Sequence, residues 1–222
     1  MKYLLLFLSV LIFSNTFGQD RYGNPQNGVF DNNLDFFAMA KVENKSNSNF
    51  IEGVEGTIYL NKTWEKCYIK STKKDADLSI QCNYNVYEKQ FEIIIDKDMY
   101  ILNPESIASI QIGQKTFIPT IHSTDNNYYE QLADGKSVKL VKLYKAKVKT
   151  EKTNTLGLFE QRLVIRGIDY FLKDDDTFVK VPTSKSKIIE ELNLTSDQKK
   201  DYKKYNLKKT DQLIEVIESL QE

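Results

Sequence analysis

The chain holds two cysteines and one histidine, so thiol, metal or imidazole chemistry must draw on Cys67, Cys82 and His122. The cysteines flank a charged, turn-like middle in KCYIKSTKKDADLSIQCNY. A hairpin centred between Lys74 and Asp75 sets Cys67 opposite Cys82, Ile69 opposite Ile80 and Ser71 opposite Leu78. Directly opposed strand residues lie ~4.5–5.5 Å apart at Cα, a span that a disulfide tolerates. Outside the cytoplasm such a bridge persists, and closing so short a loop is worth about 3 kcal/mol. The alternative is two buried thiols that pack as small hydrophobes. The register favours the bridge, although a slip of one residue would send the sulfurs to opposite faces. A zinc site is disfavoured, because no CxxC exists and His122 lies far along the chain.

His122, in TIHSTD, has Ser123 and Asp125 beside it only in sequence, on a stretch that reads as a loop. A triad requires a histidine oriented by an acid and set against a nucleophile, and no GxSxG elbow or HExxH pair occurs. Asp174, Asp175 and Asp176 form a hairpin tip without the spaced ligands and glycine of a calcium loop. No catalytic residue, cofactor site or metal site is therefore assigned. Two carboxylates distant in sequence could still converge, which keeps a hydrolase as a third reading. The most basic stretch is KSVKLVKLYKAKVK (136–149), where Lys145, Lys147 and Lys149 share one strand face. It is either an edge strand that uses lysines against sheet-to-sheet association or an interaction surface for an acidic glycan or phospholipid headgroups. The edge reading is the simpler of the two.

What positions these residues begins with export. MKYLLLFLSVLIFSNTFGQD has a basic start at Lys2, an apolar run from Tyr3 to Phe13 and small residues at its end. This is the pattern of a signal peptide over 1–18, with cleavage before Gln19. The run is shorter than the ~20 apolar residues of a membrane span. No cysteine follows it, which excludes lipid attachment at a new N-terminal Cys. Removing 1–18 removes one of 31 basic residues and none of 31 acidic ones, leaving 30 against 31 and a net charge of −1. That balance gives no global electrostatic reason to bind nucleic acid or an anionic membrane. The remaining length is enough to bury one sizeable core.

Residues 19–50 read as a flexible lead-in, with Gly, Asn and Pro over 20–33, the polar patch NKSNSN at 44–49, and LDFFAMAKV between them as a short strand or a helical turn. From 51 to 182 the period is two. Phe91, Ile93 and Ile95 alternate with polar residues in QFEIIID, and turn signals such as KKDA, DKD, NPES, GQK and ADGK punctuate the strands. The fold class expected is α+β: an antiparallel β-meander, barrel-like or sandwich, followed by two to three short helices over 183–222. In those helices Ile188, Ile189 and Leu192 share one side. TSDQ fits a capping box with Thr195 as N-cap, and Thr210 can cap a last helix in which Leu213, Val216, Ile217 and Leu220 recur.

GVEGTIYLNKTWEKCYI, CNYNVYEKQFEI and the C-terminal LKKTDQLIEVIESL resemble a group of secreted or periplasmic proteins of Bacteroidota with no known activity. Gly56, Tyr59, Leu60, Trp64, Tyr84, Asn85 and Tyr87 carry the likeness, which spans most of the mature chain. The resemblance implies an envelope location in a diderm bacterium, in the periplasm or at the outer-membrane periphery. The position of Cys67 is often Gly in that pattern, so the cysteine pair reads as an addition. The expectation for function is a non-catalytic envelope protein that acts by binding or assembly, with an envelope protein or glycan as partner. The alternative is a small-ligand binder, for lipid or glycan, whose strands close around an apolar cavity.

Overall fold

The computed structural model describes residues 40–41, 51–73, 77–120, 128–152, 159–173 and 177–220. The export segment, nearly all of the lead-in, His122 and the Asp174–Asp176 tip lie outside the described residues. The architecture is α+β, a large sheet followed by three short helices. In chain order the strands are β1 (Ala40–Lys41), β2 (Val54–Glu55), β3 (Glu65–Ser71), β4 (Leu78–Asn85), β5 (Gln90–Ile95), β6 (Asp98–Ile101), β7 (Ile107–Ile112), β8 (Lys115–Pro119), β9 (Tyr128–Asp134), β10 (Lys139–Lys152), β11 (Phe159–Lys173) and β12 (Thr177–Lys180). The helices are α1 (Lys185–Glu191), α2 (Ser196–Asp201) and α3 (Thr210–Ser219). None is long and apolar enough to cross a membrane.

Hydrogen bonding follows an open path, β1-β6-β5-β4-β3-β7-β8-β9-β10-β11-β12, with β2 added to β11 in parallel. Two features differ from a simple run of neighbours. The residues after DKD form a strand of their own, β6, which returns on β5 and receives β1. The chain then crosses back, so that β7 pairs with β3 and not with β6. The crossing is held by backbone. Thr72 and the Ser71 hydroxyl both donate to the Ser106 carbonyl, and Asn103 caps the 3-10 turn Pro104–Ser106. Leu102, within this crossing, is 1% exposed. Burying that side chain favours the crossing over an exposed loop.

The inward residues of β3 to β9 form the larger core. Tyr84, Phe91, Phe117 and Tyr128 stack at its centre with ring centroids 4.9 to 6.1 Å apart. Each ring contributes roughly 4–6 kcal/mol as an upper bound on area buried. A second core lies beneath the helices. Leu140 and Phe171 of the β10–β11 ribbon meet Ile188, Leu207, Leu213, Val216 and Ile217 there. A Cβ at Gly135 would lie 2.6 Å from the Val138 carbonyl oxygen and 2.9 Å from Ile217, so only glycine lets α3 pack this close. The Thr195 capping box is present as expected. Thr210 does not cap α3. It is the helix's first residue, and its hydroxyl instead donates to Asp169 at 2.7 Å.

Candidate functional site

Cys67 and Cys82 are joined by a disulfide and are fully buried. The hairpin register is shifted by two residues from the expected one: Cys67 faces Ile80, and Cys82 faces Glu65. A two-residue shift keeps every side chain on its face. The bridge therefore runs diagonally, over a Cα–Cα distance of 5.8 Å. Strand twist draws one diagonal of a hairpin together, which makes this span possible. Buried in the apolar core, this bond staples the sheet and offers no accessible sulfur.

Two buried polar clusters involve carboxylates. On the face of β5 opposite Phe91 and Ile93, Glu92 is 0% exposed. It accepts from the Tyr59 hydroxyl at 2.5 Å and from the Asn85 and Gln90 amides at 2.8 Å each. Some of the residues that carry the sequence likeness meet here, while Tyr84 and Leu60 pack on the aromatic core. Tyr59 pairs with Asn85, its ring lies 5.4 Å from Trp64, and Gly56 (φ +110°) brings the chain against Leu163. Tyr87 stands half-exposed, and Gly56 is exposed as well. The second cluster crosses β8, β9 and β10. Lys115 donates to the Tyr144 hydroxyl at 2.8 Å, which donates to Glu130 at 2.5 Å. Burial first, and then the bond to Glu130, hold the Tyr144 phenol well above its usual range, so it remains a donor. Tyr59 is raised in the same way by burial and by Glu92. In both clusters the charged groups named are satisfied by neighbours, as structural networks require.

The β10–β11 ribbon offers a different arrangement. It pairs Lys145 with Arg166, Lys147 with Val164 and Lys149 with Arg162. Opposed residues share a face, so five cations stand together, with like charges directly across from each other in two of the three pairs. Lys145, Lys147, Arg162 and Arg166 are exposed and Lys149 is half-buried. None of the five has an ion pair among the described residues. The acids on the same face are Glu151 and Glu160, opposed to each other at the outer end, and Glu55, which neighbours Arg162 across the parallel pairing. Sequence reasoning found the three lysines. It missed the arginines, because their place depends on a long-range register that no local pattern reveals.

The ribbon is also incompletely paired. β9 reaches only Lys139–Lys142 of β10, through a register shift between Leu140 and Val141. Among the described residues, no strand pairs with that side of β10 from Lys145 to Lys152. β10 is thus an inner strand of the sheet order, between β9 and β11, and not the edge strand expected from the sequence; only its outer half lacks a described neighbour on the β9 side. Among the described residues, no group of three or more His, Cys, Asp or Glu side chains could hold a metal ion. Comparison with protein-family models, curated proteins and solved structures finds no match for this chain.

Proposed function

We propose that this is an exported, non-catalytic envelope protein that acts by binding or assembly, through the outer half of the β10–β11 ribbon. The observation that carries this reading is the cation face, whose five side chains have no ion pair among the described residues. Like charges directly across a strand pair are destabilising, by up to about 1 kcal/mol per pair relative to neutral residues. A fold that keeps Lys145 against Arg166 and Lys149 against Arg162 gains nothing internal from doing so. The signal-like N-terminus, the disulfide and the Bacteroidota likeness support an envelope location in a diderm bacterium. Crosslinking in cells followed by pull-down tests the reading. A partner captured by the native chain and lost on K145E/K147E/K149E is expected. Recovery only as a free monomer under every condition would overturn it.

A second reading, binding of a small lipid or glycan ligand, is supported by one observation. The Tyr128 hydroxyl is buried in the aromatic core and has no hydrogen-bond partner among the described residues. Native mass spectrometry of gently purified protein would show a copurifying lipid or glycan on this reading; a bare mass would remove it.

A further inference from the structure

We infer that the free edge of β10 between Lys145 and Lys152 takes up an extended peptide as an added strand, and that this peptide alternates acidic with small apolar residues. The inference rests on the binding reading above and names the partner's chemistry. Three observations meet on this edge. The backbone of residues 145–152 has no strand on its β9 side among the described residues, leaving the row of donors and acceptors that strand addition uses. Every second residue, Lys145, Lys147 and Lys149, carries a cation on one face of that edge, and arginines 162 and 166 stand behind them on β11. The intervening residues Ala146 and Val148 lie on the other face, where Val148 is among the few exposed large hydrophobic side chains.

An added strand would set its own alternate residues ~4.5–5.5 Å from these, which calls for acids beside the lysines and aliphatic groups beside Ala146 and Val148. A second copy pairing through the same strand would oppose lysine to lysine, so self-association by this route is disfavoured. A glycan is a poorer fit. The cation face of residues 145–149 and 162–166 presents only charged ends and Val164, with no amide, hydroxyl or aromatic ring to read a sugar. A lipid surface would explain the charge but not the unpaired backbone or the alternation.

The test uses the full mature chain and a synthetic peptide of alternating Glu and Val, about seven residues long, the length of an ordinary strand. Fluorescence anisotropy should show binding that weakens with salt. Affinity should fall about tenfold in K145E/K147E/K149E, the sum of three modest cross-strand pairs. Methylating alternate peptide nitrogens, in each of the two phases, keeps the charges but removes the donors of one edge. One phase should abolish binding and the other should not. Amides within 145–152 should exchange more slowly when the peptide is bound. Equal binding of both methylated forms, or of a peptide with its acids grouped together, would overturn strand addition. So would binding to phosphatidylglycerol vesicles without binding to the peptide. If crosslinking captures a partner that does not protect these amides, this inference falls while the broader reading stands. If crosslinking captures nothing, the broader reading falls first.

Discussion

At the scale of single residues, the tyrosines divide by what their hydroxyls meet. Tyr128 is buried, and its hydroxyl has no partner among the described residues, so Tyr128→Phe removes a desolvated group with no hydrogen bond lost there. Denaturant unfolding should find the variant at least as stable as the parent, by up to about 1 kcal/mol. Tyr144→Phe removes a hydroxyl that serves both Lys115 and Glu130, and should cost about 1–3 kcal/mol in the same measurement. Reversed costs would mean that the clusters are wrongly drawn. The same groups set the alkaline limit. Tyr59, Tyr84, Tyr128 and Tyr144 are all raised above the ordinary tyrosine value, chiefly by burial. Above pH ~10 the unfolded chain loses these protons while the folded chain keeps them. Their contribution is therefore complete below about pH 10 and declines as pH rises further. A tyrosinate titration should show these four ionising only together with unfolding. Early ionisation of all exposed and buried tyrosines alike would contradict their burial. The inward positions of Phe91, Ile93 and the cysteines were legible in the alternation of the sequence. Glu92 was not, because in QFEIIID it looks like any outward polar residue. Only the distant Tyr59 segment, folding over it, makes it buried.

Among elements, the β3–β4 hairpin shows what a period-two pattern can and cannot specify. The pattern assigns each side chain to a face, and shifting the register by two leaves all of those assignments unchanged. The cysteines were thus placed on one face correctly, but opposite the wrong residues. The bridge closes a separation of 15 residues, worth about 3 kcal/mol on the loop-entropy model. C67A/C82A should lower unfolding stability by at least that amount, because each buried sulfur also leaves a void. In the parent, thiol-reactive reagents should label neither cysteine until the protein is both unfolded and reduced. Labelling of the native chain without reductant would exclude the bridge. Strand β6 and the return of β7 to β3 were hidden for a different reason. DKD and NPES both read as turns, and nothing local tells whether the next strand continues a sheet edge or crosses to the other side.

For the whole molecule, the long β10–β11 ribbon is the member shared by both cores. Its inner half carries the helices, while Tyr144, Ala146 and Ile165 farther along pack on the aromatic core. The helices therefore belong to the structural unit and are not a dispensable tail. Ending the chain at residue 182 would uncover Leu140 and Phe171, each 0% exposed in the intact protein. Such a truncation should give aggregated material on expression, whereas a soluble, β-rich product by circular dichroism would show that the sheet stands alone. The α+β class and the amphipathic C-terminus could be read from periodicity. The open path and the half-guarded ribbon could not, because they depend on contacts between segments far apart in sequence. The ribbon's lysines carry a practical consequence for handling the protein. Amine-reactive dyes and acylating agents would neutralise Lys145 and Lys147 and so remove the like-charge repulsion that a second copy would meet along this strand. Heavily labelled samples should oligomerise in light scattering while samples labelled at thiols introduced elsewhere stay monodisperse.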